Sequence, residues 1–158
     1  MTVHCFETSY NQEESLMLRS ITSTNFKNWT PVPLRVALGL IFLAHGIQKV
    51  FGGFGGRGLR AFMYTDPPFH WMWPGPIWMG AAAFAELIGG IMVFIGLFTR
   101  LGASAISIVM LSAMFGIHWG NFFVQDRGIE FPFTLICIAI ALIHTGGGRL
   151  SVDAYLRL

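Results

Sequence analysis

The run "LIFLAHGIQKVFGG" at residues 40–53 sets His45, Gln48 and Lys49 inside a stretch otherwise as apolar as a membrane-spanning helix. His45 and Lys49, four residues apart, share one helical face. Further on, Glu86 interrupts "IWMGAAAFAELIGGIMVFIGLF", and a third apolar run carries Met114 before ending near His118 and Asn121. Glu130 then opens a fourth run. An unpaired Lys or Asp at the centre of a span costs about 2.5–3.5 kcal/mol on insertion scales, so ionisable groups in such places point to function or to pairing. A carboxyl beside an imidazole can share a proton. Quinone chemistry couples electron and proton transfer, and it suits an apolar slot with a His or carboxyl at its polar end. Glu86 and His45 are therefore the candidate catalytic groups. Lys49, Met114, His118, Asn121 and Glu130 join them as candidate lining of a quinone pocket, with Phe42 and Phe115 as its apolar walls.

The elements that must position these groups follow from composition. The chain has 158 residues, 54% hydrophobic and only 11% charged, with a mean hydropathy of +0.60. A soluble domain carries about a quarter charged residues, so the expected solvent is a bilayer. The net charge of +2 is too mild to imply nucleic acid, and no basic stripe supports it. Four apolar runs, roughly 33–51, 77–98, 101–120 and 130–146, each approach the ~20 residues a bilayer core requires. The expected fold is an all-α, integral membrane four-helix bundle over 31–158, with short loops and a polar tail at 1–30. "SLMLRS" in that tail could rest on the membrane surface, and no signal peptide is recognisable. Between spans two and three lies only a tight polar hairpin, Thr99–Arg100.

The connection at 52–76 is long. "GGFGGRG" reads as a flexible turn rather than a phosphate loop, because it lacks the Gly-Lys-Ser/Thr ending. "GLRAFMY" suits a short interfacial helical turn, and "PPFHWMWPGPIW" offers three tryptophans to an aromatic belt. The positive-inside rule weighs Arg19, Lys27, Arg35, Arg100, Arg149 and Arg157 on one side against Lys49, Arg57, Arg60 and Arg127 on the other. That bias puts both termini in the cytoplasm. The ionisable residues of the spans then gather in the outer half, with Glu86 about 14 Å deep and near the midplane.

Facing predicts an inward cluster. Ala82, Ala83, Gly89 and Gly90 share a small-residue face with Glu86, and small residues let helices approach closely in lipid. Glu130, Thr134, Cys137, Ala141 and His144 form one stripe of span four, and Ser104, Ser107, Leu111, Met114, His118 and Asn121 one of span three. Both stripes are expected to face a common interior. Matching depths predict Glu86 with His45, and Glu130 with Lys49. Structural alternatives stand beside each role. Lys49 can snorkel to the interface, His118 and Asn121 can anchor the end of span three, and Glu130 can complement a helix N-terminus. His144 suits an interface and Cys137 a small core position. With Cys5 in the tail, Cys137 in a span and no Cys-x-x-Cys, a thiol–disulfide relay within the chain is excluded.

From Arg35 to Leu156 the sequence resembles the DoxX family (DoxX/DoxD-like four-helix bacterial membrane proteins). The residues that carry the likeness are "RVALGLIFLAHGIQKVFG", "AELIGGIMVFIGLFTRLGA", "MFGIHWGNFF", "FPFTLICIAIAL" and "GGGRLSVDAYL". The resemblance implies a multi-pass bundle in the cytoplasmic membrane. Some relatives are similar to the membrane subunit of thiosulfate:quinone oxidoreductases, and others are linked to redox homeostasis. The expected function is thus a quinone-interacting or redox-associated subunit of a membrane complex, with partner subunits supplying electrons. A non-catalytic accessory or assembly subunit is the alternative, followed by a small-solute or proton pathway. No metal and no covalently bound cofactor is expected, and the different depths of His45 and His118 disfavour a haem between them.

Overall fold

The computed structural model describes residues 28–156; the polar tail, including "SLMLRS", lies outside them. Four long helices run α1 (Pro31–Val50), α3 (Gly75–Ile95), α4 (Thr99–Gly116) and α5 (Glu130–Thr145). Two short ones, α2 (Gly58–Met63) and α6 (Val152–Leu156), sit in the first connection and after α5. No strand occurs among the described residues. Around the bundle the long helices pack in the cyclic order α1, α3, α4, α5 and back to α1. Leu38, Phe42, Val93, Ile106, Leu135 and Leu142 meet along the axis.

Three helices, α1, α3 and α4, are long and apolar enough to cross a membrane. The fourth, α5, is apolar but has 16 residues, or about 24 Å at 1.5 Å per residue. That falls short of a hydrocarbon core of about 30 Å. Pro31 and Pro33 occupy the first turn of α1, where a missing amide donor leaves nothing unpaired.

The seam between α1 and α3 is set by glycines. A Cβ on Gly46 would lie 2.5 Å from the Leu87 Cα, and one on Gly90 would lie 2.6 Å from the Leu43 amide nitrogen. Backbone thus meets backbone in an antiparallel register, with Gly39 beside Phe94 further along. Continued the other way, this register brings the last turn of α1 level with Ala83. The first two turns of α3 therefore project past α1. The first connection fills that space, with Met63 of α2 against Gly80.

The opposite end of the bundle is closed by a buried arginine. Arg35 Nε donates to Val93 O at 3.1 Å and a terminal nitrogen to Phe94 O at 2.9 Å. The other terminal nitrogen donates to Gly147 O and Leu150 O at 3.0 and 3.2 Å. Gly96, at φ +74°, ends α3; a Cβ there would strike the Arg35 guanidinium at 2.5 Å. Asp153 of α6 completes the closure. Its carboxylate accepts the Phe98 and Thr99 amides at 2.7 and 3.0 Å and the Thr99 hydroxyl at 2.7 Å. The predicted polar hairpin is thus corrected at Thr99, which is fully buried as the first residue of α4. The start of α1 lies at this same end, where Arg149 N donates to Asn28 O at 2.9 Å and the Arg149 guanidinium covers the Trp29 ring.

Two expected inward stripes do not form as predicted. On α5 the buried residues are Pro132, Leu135, Ile136, Ala139 and Leu142, while Thr134, Cys137 and His144 are exposed. The reason is local satisfaction. Thr134 and Thr145 hydroxyls donate to the carbonyls four residues back, at 2.9 and 2.7 Å, a common habit of helical Ser and Thr. These residues need no partner across the bundle, so the bulkier aliphatic face takes the interior. On α4, Ser104 and Ser107 do the same; Ser107 is buried, yet Leu111 is exposed. The small face of α3 does pack inward at Ala83, Gly89 and Gly90.

Candidate functional site: a buried ion pair at the end of an apolar cavity

Lys49, in the last turn of α1, meets Glu86 near the middle of α3. The Lys49 Nζ lies 2.5 Å from both carboxylate oxygens. Its side chain is 24% exposed and that of Glu86 2%. One partner is thus sealed and the other keeps an edge at the surface of the bundle. Phe62 of α2 adds a ring 4.9 Å from the ammonium, an arrangement in which the aromatic face stabilises the cation.

This pairing replaces the two inferred from depth. Glu86 binds Lys49, not His45, and Glu130 does not reach Lys49. Depth counted from the ends of apolar runs assumes that neighbouring helices start level. The offset between α1 and α3 violates that assumption and carries Lys49 down to the turn holding Glu86. His45 is exposed because Gly46 faces α3, and one residue along a helix turns by about 100°.

The remaining predicted residues lie elsewhere. Helix α4 ends at Gly116, so His118 and Asn121 belong to the connection that follows rather than closing span three. His118 Nδ1 is 2.6 Å from Arg127 O, and Asn121 Nδ2 donates to Asp126 O at 3.1 Å. Glu130 accepts the Val124 amide at 3.0 Å from the N-terminus of α5. All three fasten this one loop. Met114 is half-buried and Phe42 is wholly in the core.

Lys49 and Glu86 form the polar end of a cavity of about 380 Å³ between α3 and α4, within the usual range for small-molecule sites. Its walls are otherwise nearly all apolar. Trp78, Ala82 and Ala85 come from α3, and Ala105, Val109 and Ala113 from α4. Phe62, Pro68, Trp71 and Met72 of the first connection close over it. Trp71 packs edge-on against Trp78 with centroids 5.7 Å apart, and Phe69 stacks behind Trp71 at 5.8 Å. Of the residues singled out from sequence, the cavity takes Lys49 and Glu86; His45, Met114, His118, Asn121 and Glu130 do not line it. Of the alanines, Ala82 alone was legible, as part of a packing face. Arg35 passed for an interfacial charge.

An all-helical membrane bundle with a carboxylate–ammonium pair buried against an apolar cavity defines the class. The DoxX family profile matches residues 30–119. The chain belongs to the DoxX family and is a multi-pass membrane protein. It is similar to the Bacillus subtilis (strain 168) protein named "Putative oxidoreductase CatD", with 30% identity over 128 residues, 77% of this chain and 83% of that one. Two Haemophilus influenzae proteins, each named "Uncharacterized protein", are 28% identical to it. They cover 78% and 76% of this chain and 81% and 85% of their own lengths. No solved structure matches the chain.

Proposed function

We propose that this DoxX protein is a redox-associated subunit of a membrane complex and binds the head of a quinone in the α3–α4 cavity. The observation that carries the reading is a single charged end, Lys49–Glu86, on an otherwise apolar chamber. A quinone supplies two-electron chemistry coupled to proton uptake. Lys49 is suited to donate a hydrogen bond to a carbonyl oxygen of the ring, and Glu86 holds the ammonium in place. Trp71 and Trp78 offer aromatic faces, and the alanine walls exclude water. Because Lys49 is partly exposed, it is the atom through which a proton reaches the chamber from outside. Electrons come from a partner subunit. The name of the Bacillus relative supports the redox part of this reading. The positive-inside bias supports a cytoplasmic membrane location with both termini in the cytoplasm.

The test is a titration of purified protein with a short-chain benzoquinone, followed by quenching of tryptophan fluorescence, since Trp71 and Trp78 line the cavity. Saturable quenching is expected. A hydrogen bond to a charged group is worth about 1.5–3 kcal/mol, so the neutral double variant Lys49→Met/Glu86→Met weakens binding roughly 10- to 150-fold. Linear quenching, equal in both proteins, refutes the reading. An accessory or assembly role is the second reading, favoured by exposed Phe54, Tyr64 and Trp73 on the first connection; there, both proteins support complex formation equally and neither binds quinone.

A further inference from the structure

We infer that the cavity opens sideways into the bilayer between α3 and α4, and that its ligand carries a long aliphatic tail that leaves through this gap. The inference rests on the quinone reading for the head and adds the tail and its path.

Two helical stripes make the gap. Trp78, Ala81, Ala82 and Ala85 on α3 follow the spacing i, i+3, i+4, i+7. Ala105, Ile108, Val109 and Ser112 on α4 repeat it. Each stripe is therefore a single helix face, and the two line one slot. At one end the helices close on each other. A Cβ on Gly89 would lie 3.1 Å from Ile106 and 3.2 Å from Gly102 O, and one on Gly102 would lie 2.9 Å from the Met92 Cβ. Beyond this pinch, towards Ala81, the cavity lies between the two helices.

Pro68, Trp71 and Met72 of the first connection line its other end, with Met72 buried and Trp71 67% exposed. The lateral rim is open as well. Ala81 is exposed and Ile108 is 66% exposed, although Ile108 stands halfway along the 18 residues of α4. A rim at that height on two spanning helices faces acyl chains rather than headgroups. A head held at Lys49–Glu86 lays its remaining length along this apolar rim. Ligands made for such a site are lipid-soluble amphiphiles: a polar ring with an isoprenoid or alkyl chain.

The experiment uses the full chain in phosphatidylcholine vesicles and a benzoquinone whose alkyl tail ends in a photoreactive diazirine. Adducts are mapped by mass spectrometry, beside a fatty alcohol with the same tail and a tail-less benzoquinone as competitor. Labelling is expected on residues 81–85 and 105–112, at least fivefold above the surrounding lipid-facing positions. The Ala81→Phe variant, which adds bulk at an exposed position, is expected to cut that labelling at least fivefold. Adducts confined to residues 64–73, or spread evenly over the helices, overturn the lateral path and leave the quinone head untouched. If the fatty alcohol labels the slot as strongly as the tailed quinone and the tail-less quinone does not compete, the path stands and the quinone reading falls.

Discussion

Breaking the Lys49–Glu86 pair from its two sides is expected to give unequal losses. Removing one member of a buried pair costs about 3–5 kcal/mol, chiefly because the survivor is left charged and uncompensated. The two survivors here differ. After Lys49→Met the stranded group is Glu86, whose side chain is 2% exposed, so the full 3–5 kcal/mol applies. After Glu86→Gln the stranded group is Lys49, 24% exposed and on a long stem, which can swing to water while the amide keeps a hydrogen bond. That loss should be nearer 1–2 kcal/mol, the ordinary value of one hydrogen bond. Lys49→Met/Glu86→Met removes both charges and should recover most of the loss, as buried pairs replaced by apolar residues often do. At about 2–4 °C per kcal/mol for a chain of this size, detergent-solubilised Lys49→Met should melt roughly 6–20 °C lower than the parent. Glu86→Gln should melt roughly 2–8 °C lower. Thermal unfolding followed by tryptophan fluorescence, completed as a double-mutant cycle, reads all three. A Glu86→Gln loss larger than that of Lys49→Met, or a coupling below about 0.5 kcal/mol, would refute the argument from unequal exposure.

Further predictions concern the frame. Gly46→Leu drives a side chain into the Leu87 backbone and should destabilise by about 3 kcal/mol, the upper range of overpacking; folded yield in mild detergent measures it. Asp153→Ala frees the amides at the start of α4, and a lost cap of this kind costs about 1–2 kcal/mol, seen as a lower melting temperature. His45→Ala alters an exposed position and should stay within about 0.5 kcal/mol of the parent. A loss comparable to that of Glu86→Gln would show that His45 shares the interior.

The helices were legible because about 20 apolar residues in a row admit few other structures. The inward packing of α3 was legible from Ala83, Gly89 and Gly90. Both members of the ion pair stood out for the same reason, as charges in apolar runs. Their pairing was not legible, because it depends on a register that Gly46 and Gly90 set by backbone contact, and sequence shows only that glycines are there. The stripe through Thr134, Cys137 and His144 misled at Thr134 because polarity alone does not reveal that its hydroxyl is already bonded within its own helix. The role of Arg35 escaped notice for the converse reason: near a helix end a cation reads as solvated, and its acceptors, up to 115 residues away, leave no local trace.

The reach of Arg35 bears on how the protein is made. Its carbonyl partners at Val93 and Phe94 emerge from the ribosome well before those at Gly147 and Leu150. During synthesis the guanidinium therefore waits, half matched, until the last helix has been delivered. A nascent chain halted before residue 147 lacks two of the four carbonyl acceptors that hold Arg35 in the finished bundle.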